Sequence, residues 1–190
     1  MASVTFEFAG EVATRKAGEI LGELLREQPA GRRAFVLALE GELGAGKTTF
    51  IRGLAKGLGI RENITSPSFL IARRYRFSSL RGAEHSKSLS ARRRGNLTGL
   101  LRGVYPEPSR GARNDGEERV IWHFDFYRFN RVVTRRDLAL LNFPEILQDP
   151  RNIVAIEWAE RVEGFLPREK LTLRFNVISP TRRRIAMGNA

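Results

Sequence analysis

The stretch Gly41-Glu42-Leu43-Gly44-Ala45-Gly46-Lys47-Thr48-Thr49 constrains this chain more than any other. It fits the pattern G-x-x-x-x-G-K-[ST] in full. Its flanks fit as well. Residues 34–39, Ala-Phe-Val-Leu-Ala-Leu, form an apolar run as long as one buried strand. After the loop, Phe50, Ile51, Leu54, Ala55 and Leu58 recur at helical spacing. The motif is therefore expected between the C-terminal end of a strand and the N-terminus of a helix. Successive backbone N–H groups in such a loop cradle a phosphate chain, and the helix start adds free donors and partial positive charge. Glycines at 41, 44 and 46 permit backbone angles and close approaches that a Cβ blocks. Lys47 is placed to reach the β- and γ-phosphates, and the Thr48 hydroxyl to hold Mg²⁺. The motif points to a nucleoside triphosphate and leaves open what its energy is for.

At 190 residues the chain suits a single domain, 1–190, with a core of useful size. It has no cysteine, which excludes a disulfide framework, a thiolate metal site and a cysteine nucleophile. Its histidines, His85 and His123, are far apart in sequence and argue against a zinc site. The N-terminus lacks the charged and apolar regions of a secretory signal, and no apolar run is long enough to span a membrane. A cytoplasmic protein is expected. Lys and Arg outnumber Asp and Glu by 33 to 21, a formal charge of +12. Such a surface attracts polyanions, RNA among them, although a general preference for arginine in the source gives the same count.

Residues 4–8 read as a short strand. Residues 11–27 read as an amphipathic helix with Ala17, Ile20, Leu21, Leu24 and Leu25 on one face. After the 41–49 loop and its helix comes Thr65-Ser66-Pro67-Ser68-Phe69, which leads into an apolar, β-prone run to Tyr75. Hydroxyls around a proline make either a plain turn or a loop that senses the γ-phosphate. Residues 78–118 change in composition, with Arg92-Arg93-Arg94, Pro106, Pro108 and Asn114-Asp115-Gly116. They read as a flexible insertion between two strands, solvated or facing RNA, with a helical turn suggested only by Leu97, Leu100, Leu101 and Val104. Buried strands are expected at 120–124 and 152–156, short helices at 137–141 and 144–147, and further strands at 171–177 and 181–187. Strands joined through helices, with polar residues at their ends, predict an α/β fold. The expected form is P-loop NTPase-like, with a mostly parallel central sheet flanked by helices and the ligand at the strands' C-terminal edge.

A triphosphate site needs an acidic group near its metal. Asp125 and Glu157 are the candidates, because each follows an apolar strand. Asp137, Asp149 and Glu163 lack such a strand and rank lower. His123 lies two residues before Asp125, on the same face of the strand. It either orients Asp125 or is a hydrogen-bonded core residue.

Together the 41–49 loop, Thr65-Ser66-Pro67-Ser68-Phe69, His123-Phe124-Asp125-Phe126-Tyr127-Arg128 and Ile156-Glu157-Trp158 resemble the TsaE family. These are small ATPases of bacterial tRNA threonylcarbamoyladenosine modification. The resemblance covers nearly all of the chain outside 78–118, and four motifs in this order are specific where the loop alone is not. It implies an ATPase that binds ATP with Mg²⁺ and supports turnover of a TsaB and TsaD complex, with tRNA met through that complex. Its hydrolysis is weak and partner-dependent. The catalytic set it implies is Lys47, Asp125 and Glu157. The nucleotide contacts are Gly41, Glu42, Leu43, Gly44, Ala45, Gly46, Lys47, Thr48 and Thr49, with Thr14, Thr65, Ser66 and Asp125. Thr48 and Glu157 serve the metal, and the same alignment reaches Glu160 and Arg183. Ser68 stands where the family usually has threonine. The 78–118 connection is longer than the family's, and the C-terminal end is very basic. Two other readings compete. A small-molecule P-loop kinase would use Arg73-Arg74 or the Arg92 run as a lid, but no acceptor motif appears. A basic RNA-binding module would hold a nucleotide only for structure.

Overall fold

A computed structural model describes residues 3–67, 70–79, 117–129 and 131–189. In chain order the described elements are β1 (Ser3–Ala9), α1 (Gly10–Glu27), β2 (Phe35–Gly41), α2 (Lys47–Gly57), β3 (Ala72–Ser78), β4 (Glu118–Asp125), α3 (Arg135–Leu140), α4 (Phe143–Gln148), β5 (Asn152–Glu157), 3-10 turns at Ala159–Arg161 and Glu163–Phe165, β6 (Leu171–Ser179) and β7 (Arg182–Asn189). The expected helices and strands are present, with one shift. The strand expected from Phe69 onward starts only at Ala72. Leu70 and Ile71 instead donate their N–H groups to Pro67 O in a turn, and Ile71 takes a left-handed φ of 67°.

The strands build one seven-stranded sheet in the order β1-β7-β6-β2-β5-β4-β3. β2 runs parallel to β5 and β6, and β4 parallel to β5. The β1–β7, β6–β7 and β3–β4 pairs are antiparallel. The sheet is therefore mixed, which corrects the expectation of a mostly parallel one. β6 and β7 are separated only by Pro180 and Thr181, and so short a link forces an antiparallel pair.

Period-2 alternation sorts the central strands onto two cores. Leu37, Leu39, Ile121, Ile153 and Ala155 face α1 and α2, meeting Leu21, Leu25, Phe50, Ile51 and Leu54. Val36, Ala38, Phe124, Val154 and Ile156 face the other way, onto Leu138, Phe143 and Ile146 of α3 and α4. α1 and α2 cross through four glycines. A Cβ on Gly18, Gly22, Gly53 or Gly57 would overlap backbone atoms of the facing helix. This close approach brings Thr14 of α1 beside Gly46, where an added Cβ would meet Thr14 Cγ2 at 3.4 Å.

Most of the expected insertion, residues 80–116 with His85, Arg92-Arg93-Arg94 and the 97–104 turn, lies outside the described residues, as does Ser68. The described residues show where the insertion is rooted. Ser79 N–H donates to Glu117 O at 3.1 Å, and Ser78 pairs with Glu118. The root is thus the end of β4 opposite Asp125.

Candidate functional site

Parallel pairing of β4, β5 and β2 carries three strand ends to one edge of the sheet. In register, Asp125 lies beside Glu157, and Glu157 beside Leu39. β2 then runs into the 41–49 loop. Gly41 has φ 131°, and a Cβ there would overlap Phe175 O, so only glycine turns the chain at this point. Gly46, at φ 105°, is the N-cap of α2. The first-turn N–H groups of Lys47, Thr48 and Thr49 have no intrahelical carbonyl to bond and face the loop.

Lys47 is almost wholly buried. Its Nζ donates to Gly41 O at 2.5 Å and Glu42 O at 2.9 Å, and lies 4.1 Å from the centre of the Trp158 ring. Burial draws its ammonium pKa below the ordinary lysine value, while Glu157, Glu160 and Asp125 push it back up. Trp158 reaches this position because it takes a left-handed φ of 60° directly after β5. Nothing in the sequence marked the residue for that conformation.

Two buried carboxylates stand in front of the loop. The Thr48 hydroxyl donates to Glu157, with Oγ1 at 2.8 Å from Oε1 and 3.0 Å from Oε2. His123 Nε2 lies 2.9 Å from Glu157 Oε1. Of the two readings of His123, orienting Asp125 is replaced: the ring bonds the carboxylate of the neighbouring strand. Asp125 is held otherwise, by the Ser66 hydroxyl at 2.7 Å and the Tyr127 N–H at 2.9 Å. Arg73 donates to the Thr65 hydroxyl at 2.8 Å, steadying the loop that carries Ser66. Arg161 grips the carbonyls of Phe126, Tyr127 and Phe129, which fixes the turn after Asp125.

One cavity is lined by residues 43–49 together with Ser66, Asp125, Tyr127, Glu157 and Trp158. A second, adjoining at Gly44, Gly46 and Thr49, is lined by Gly10, Glu11, Thr14, Pro180 and Arg183. Most of the predicted residues thus line one or both of two cavities that share Gly44, Gly46 and Thr49. Gly41, Glu42 and Thr65 are not among the lining residues. Gly41 and Glu42 offer their carbonyls to Lys47, and the Thr65 hydroxyl is bound by Arg73. The wall residues Tyr127 and Trp158 stood only inside the motifs that carry the TsaE resemblance, and neither was singled out as a site residue.

The donor set fits a hard cation. Thr48 and Glu157 supply adjacent oxygens, and among the described residues no group of three or more His, Asp or Glu forms a cage. Mg²⁺ commonly binds through one or two protein oxygens and completes its shell with phosphates and water.

The sequence profile described as "Threonylcarbamoyl adenosine biosynthesis protein TsaE" matches residues 8–86 and 110–185. The chain belongs to the TsaE family. That family takes part in tRNA threonylcarbamoyladenosine biosynthesis. Several proteins named tRNA threonylcarbamoyladenosine biosynthesis protein TsaE align over most of their length. The one from Streptomyces coelicolor is 54% identical over 162 residues, 85% of this chain and 78% of its own. The Treponema pallidum protein is 29% identical, over 92% and 93% of the two chains. The fold is similar to the crystal structure of Bacillus subtilis YdiB, at TM-score 0.58 and 22% identity over all of this chain and 87% of that one. Within this TsaE chain the profile passes over residues 87–109, inside the segment read as an insertion. Among the described residues no helix is long and apolar enough to cross a membrane.

Proposed function

We propose that this chain is a P-loop NTPase-like, Mg²⁺-dependent ATPase of the cytoplasm. In this reading it acts on a complex of TsaB and TsaD to support turnover in tRNA threonylcarbamoyladenosine modification. The observation that carries this reading is the Thr48 to Glu157 hydrogen bond at the mouth of the 41–49 loop, beside Lys47. Loop amides and Lys47 hold the phosphates, and Lys47 exchanges its contacts with Gly41 O and Glu42 O for phosphate oxygens. The cavity bearing Thr14 takes the rest of the nucleotide. Thr48 and Glu157 hold the metal, which when bound neutralises charge as the γ-phosphate leaves. Asp125, fixed by Ser66 and the Tyr127 amide, orients the attacking water. The Thr65-Ser66 loop follows the state of the γ-phosphate through the Ser66 to Asp125 bond. Hydrolysis is weak without the partners, and tRNA is reached through them. A kinase reading is less favoured, because Arg73, one of its lid arginines, is committed to Thr65.

The test is reconstitution of tRNA modification with TsaB, TsaD and a threonylcarbamoyl donor, with and without this protein and ATP. Multiple turnover that requires both is expected. Equal turnover without either would refute the proposal. In parallel, Glu157→Gln is expected to keep most nucleotide affinity and lose hydrolysis by orders of magnitude. If Glu157→Gln hydrolyses like wild type while Asp125→Asn loses its Mg²⁺ response, the roles of the two carboxylates are reversed.

A further inference from the structure

His123 is fully buried in β4, on the face that carries Asp125. Its Nε2 meets Glu157 Oε1, whereas its Nδ1 is buried with no hydrogen-bond partner among the described residues. Leaving a buried polar atom unpaired is costly. A histidine serving packing alone would pair both nitrogens or give way to an apolar ring. His123 carries this cost and directs a hydrogen bond at the carboxylate that also receives Thr48. Glu157 Oε1 therefore has two neighbours, the His123 ring behind it and the Thr48 hydroxyl in front. A carboxylate only accepts, so Nε2 carries the proton in this contact.

We infer that His123 is a positioning residue for Glu157. Its Nε2–H fixes the plane of the carboxylate and keeps the outer lone pairs turned toward Thr48. The inference rests on the Mg-ATP reading above. His123 touches neither nucleotide nor metal and acts only through Glu157. When a cation takes up the Glu157 oxygens facing Thr48, the His123 contact is the one that still restrains the side chain. The loop amides and Lys47 do not depend on it, so the metal-free phosphate site is separate from its effect.

The test uses the full chain and a non-hydrolysable ATP analogue, so that binding is read without turnover. Calorimetry gives analogue affinity without metal and the Mg²⁺ concentration that half-tightens it, for wild type, His123→Phe, His123→Gln, Glu157→Gln and the His123→Phe/Glu157→Gln double variant. His123→Phe keeps the ring volume and removes the donor. It should leave metal-free affinity within about twofold of wild type and raise the Mg²⁺ midpoint by about tenfold or more. His123→Gln, which can still donate, should recover part of that shift. Adding His123→Phe to Glu157→Gln should change nothing further, because its target is already gone. A wild-type Mg²⁺ midpoint in His123→Phe overturns the inference, as does a shift that persists undiminished in the Glu157→Gln background. If His123→Phe does not fold, as judged by thermal unfolding, His123→Leu and His123→Gln decide by the same two criteria. A wild-type protein that shows no Mg²⁺-dependent tightening refutes the underlying ATPase reading itself, independently of His123.

Discussion

Lys47 spends its three donor positions inside the protein, on two loop carbonyls and the face of Trp158. On the proposed reading a phosphate has to replace these contacts, and its full charge in a buried setting, where charge-assisted hydrogen bonds are strongest, would let it do so. Lys47→Ala is expected to weaken nucleotide binding by about 1.5–3 kcal/mol, and circular dichroism should show the fold retained. Unchanged affinity by calorimetry would contradict this role. Much of this site was legible at the residue scale. The spacing of the loop motif gave Lys47 and Thr48, and the ends of two apolar runs gave Asp125 and Glu157. Alternation placed His123 on the correct face. It could not say that the ring meets Glu157, because that depends on β4 lying next to β5, a pairing between segments 34 residues apart at His123 and Glu157.

At the scale of elements, the crossing of α1 and α2 sets Thr14, which lines one of the two cavities, beside Gly46, which lines both. Gly18 and Gly22 lie against the backbone of Phe50 and Leu54, and Gly53 and Gly57 against that of Arg15 and Glu19, and Thr14 reaches Gly46 as a result. Gly53→Ala places a methyl against Arg15 O and should destabilise the protein by about 1–3 kcal/mol, read by urea unfolding. It should also weaken nucleotide affinity, since separating the helices draws Thr14 away from the loop. A variant as stable as wild type would show that the helices can part without cost. The apolar stripe of α1 predicted which face is buried. The glycines did not announce themselves, because within one helix a glycine reads only as lost propensity. Strand existence was likewise readable from apolar runs. Strand direction at the sheet's margins was not, because it turns on short links such as Pro180-Thr181.

Across the whole molecule, the root of the expected insertion, at Ser79 and Glu117, and the site at Asp125 lie at opposite ends of β4. Ser79 and Glu117 already close the hairpin by a hydrogen bond, so a short turn can replace what lies between them. Deleting residues 80–116 should leave ATP affinity and cooperative unfolding unaltered, because closing a shorter loop costs less entropy. Loss of soluble protein on deletion would show that the segment is structural. The compositional change at 78–118 marked this segment, and the profile's gap at 87–109 falls within it.

The central claim is that the 41–49 loop binds Mg-ATP through Lys47, and Trp158 offers a direct readout. The chain has two tryptophans, so Trp122→Phe leaves Trp158 as the sole reporter, lying 4.1 Å from Lys47 Nζ. Titrating Mg-ATP into Trp122→Phe should give a saturable fluorescence change as Lys47 leaves the ring for phosphate. The same titration with Lys47→Ala added should give none. A flat titration in the Trp122→Phe protein, with no binding heat by calorimetry, would contradict the account.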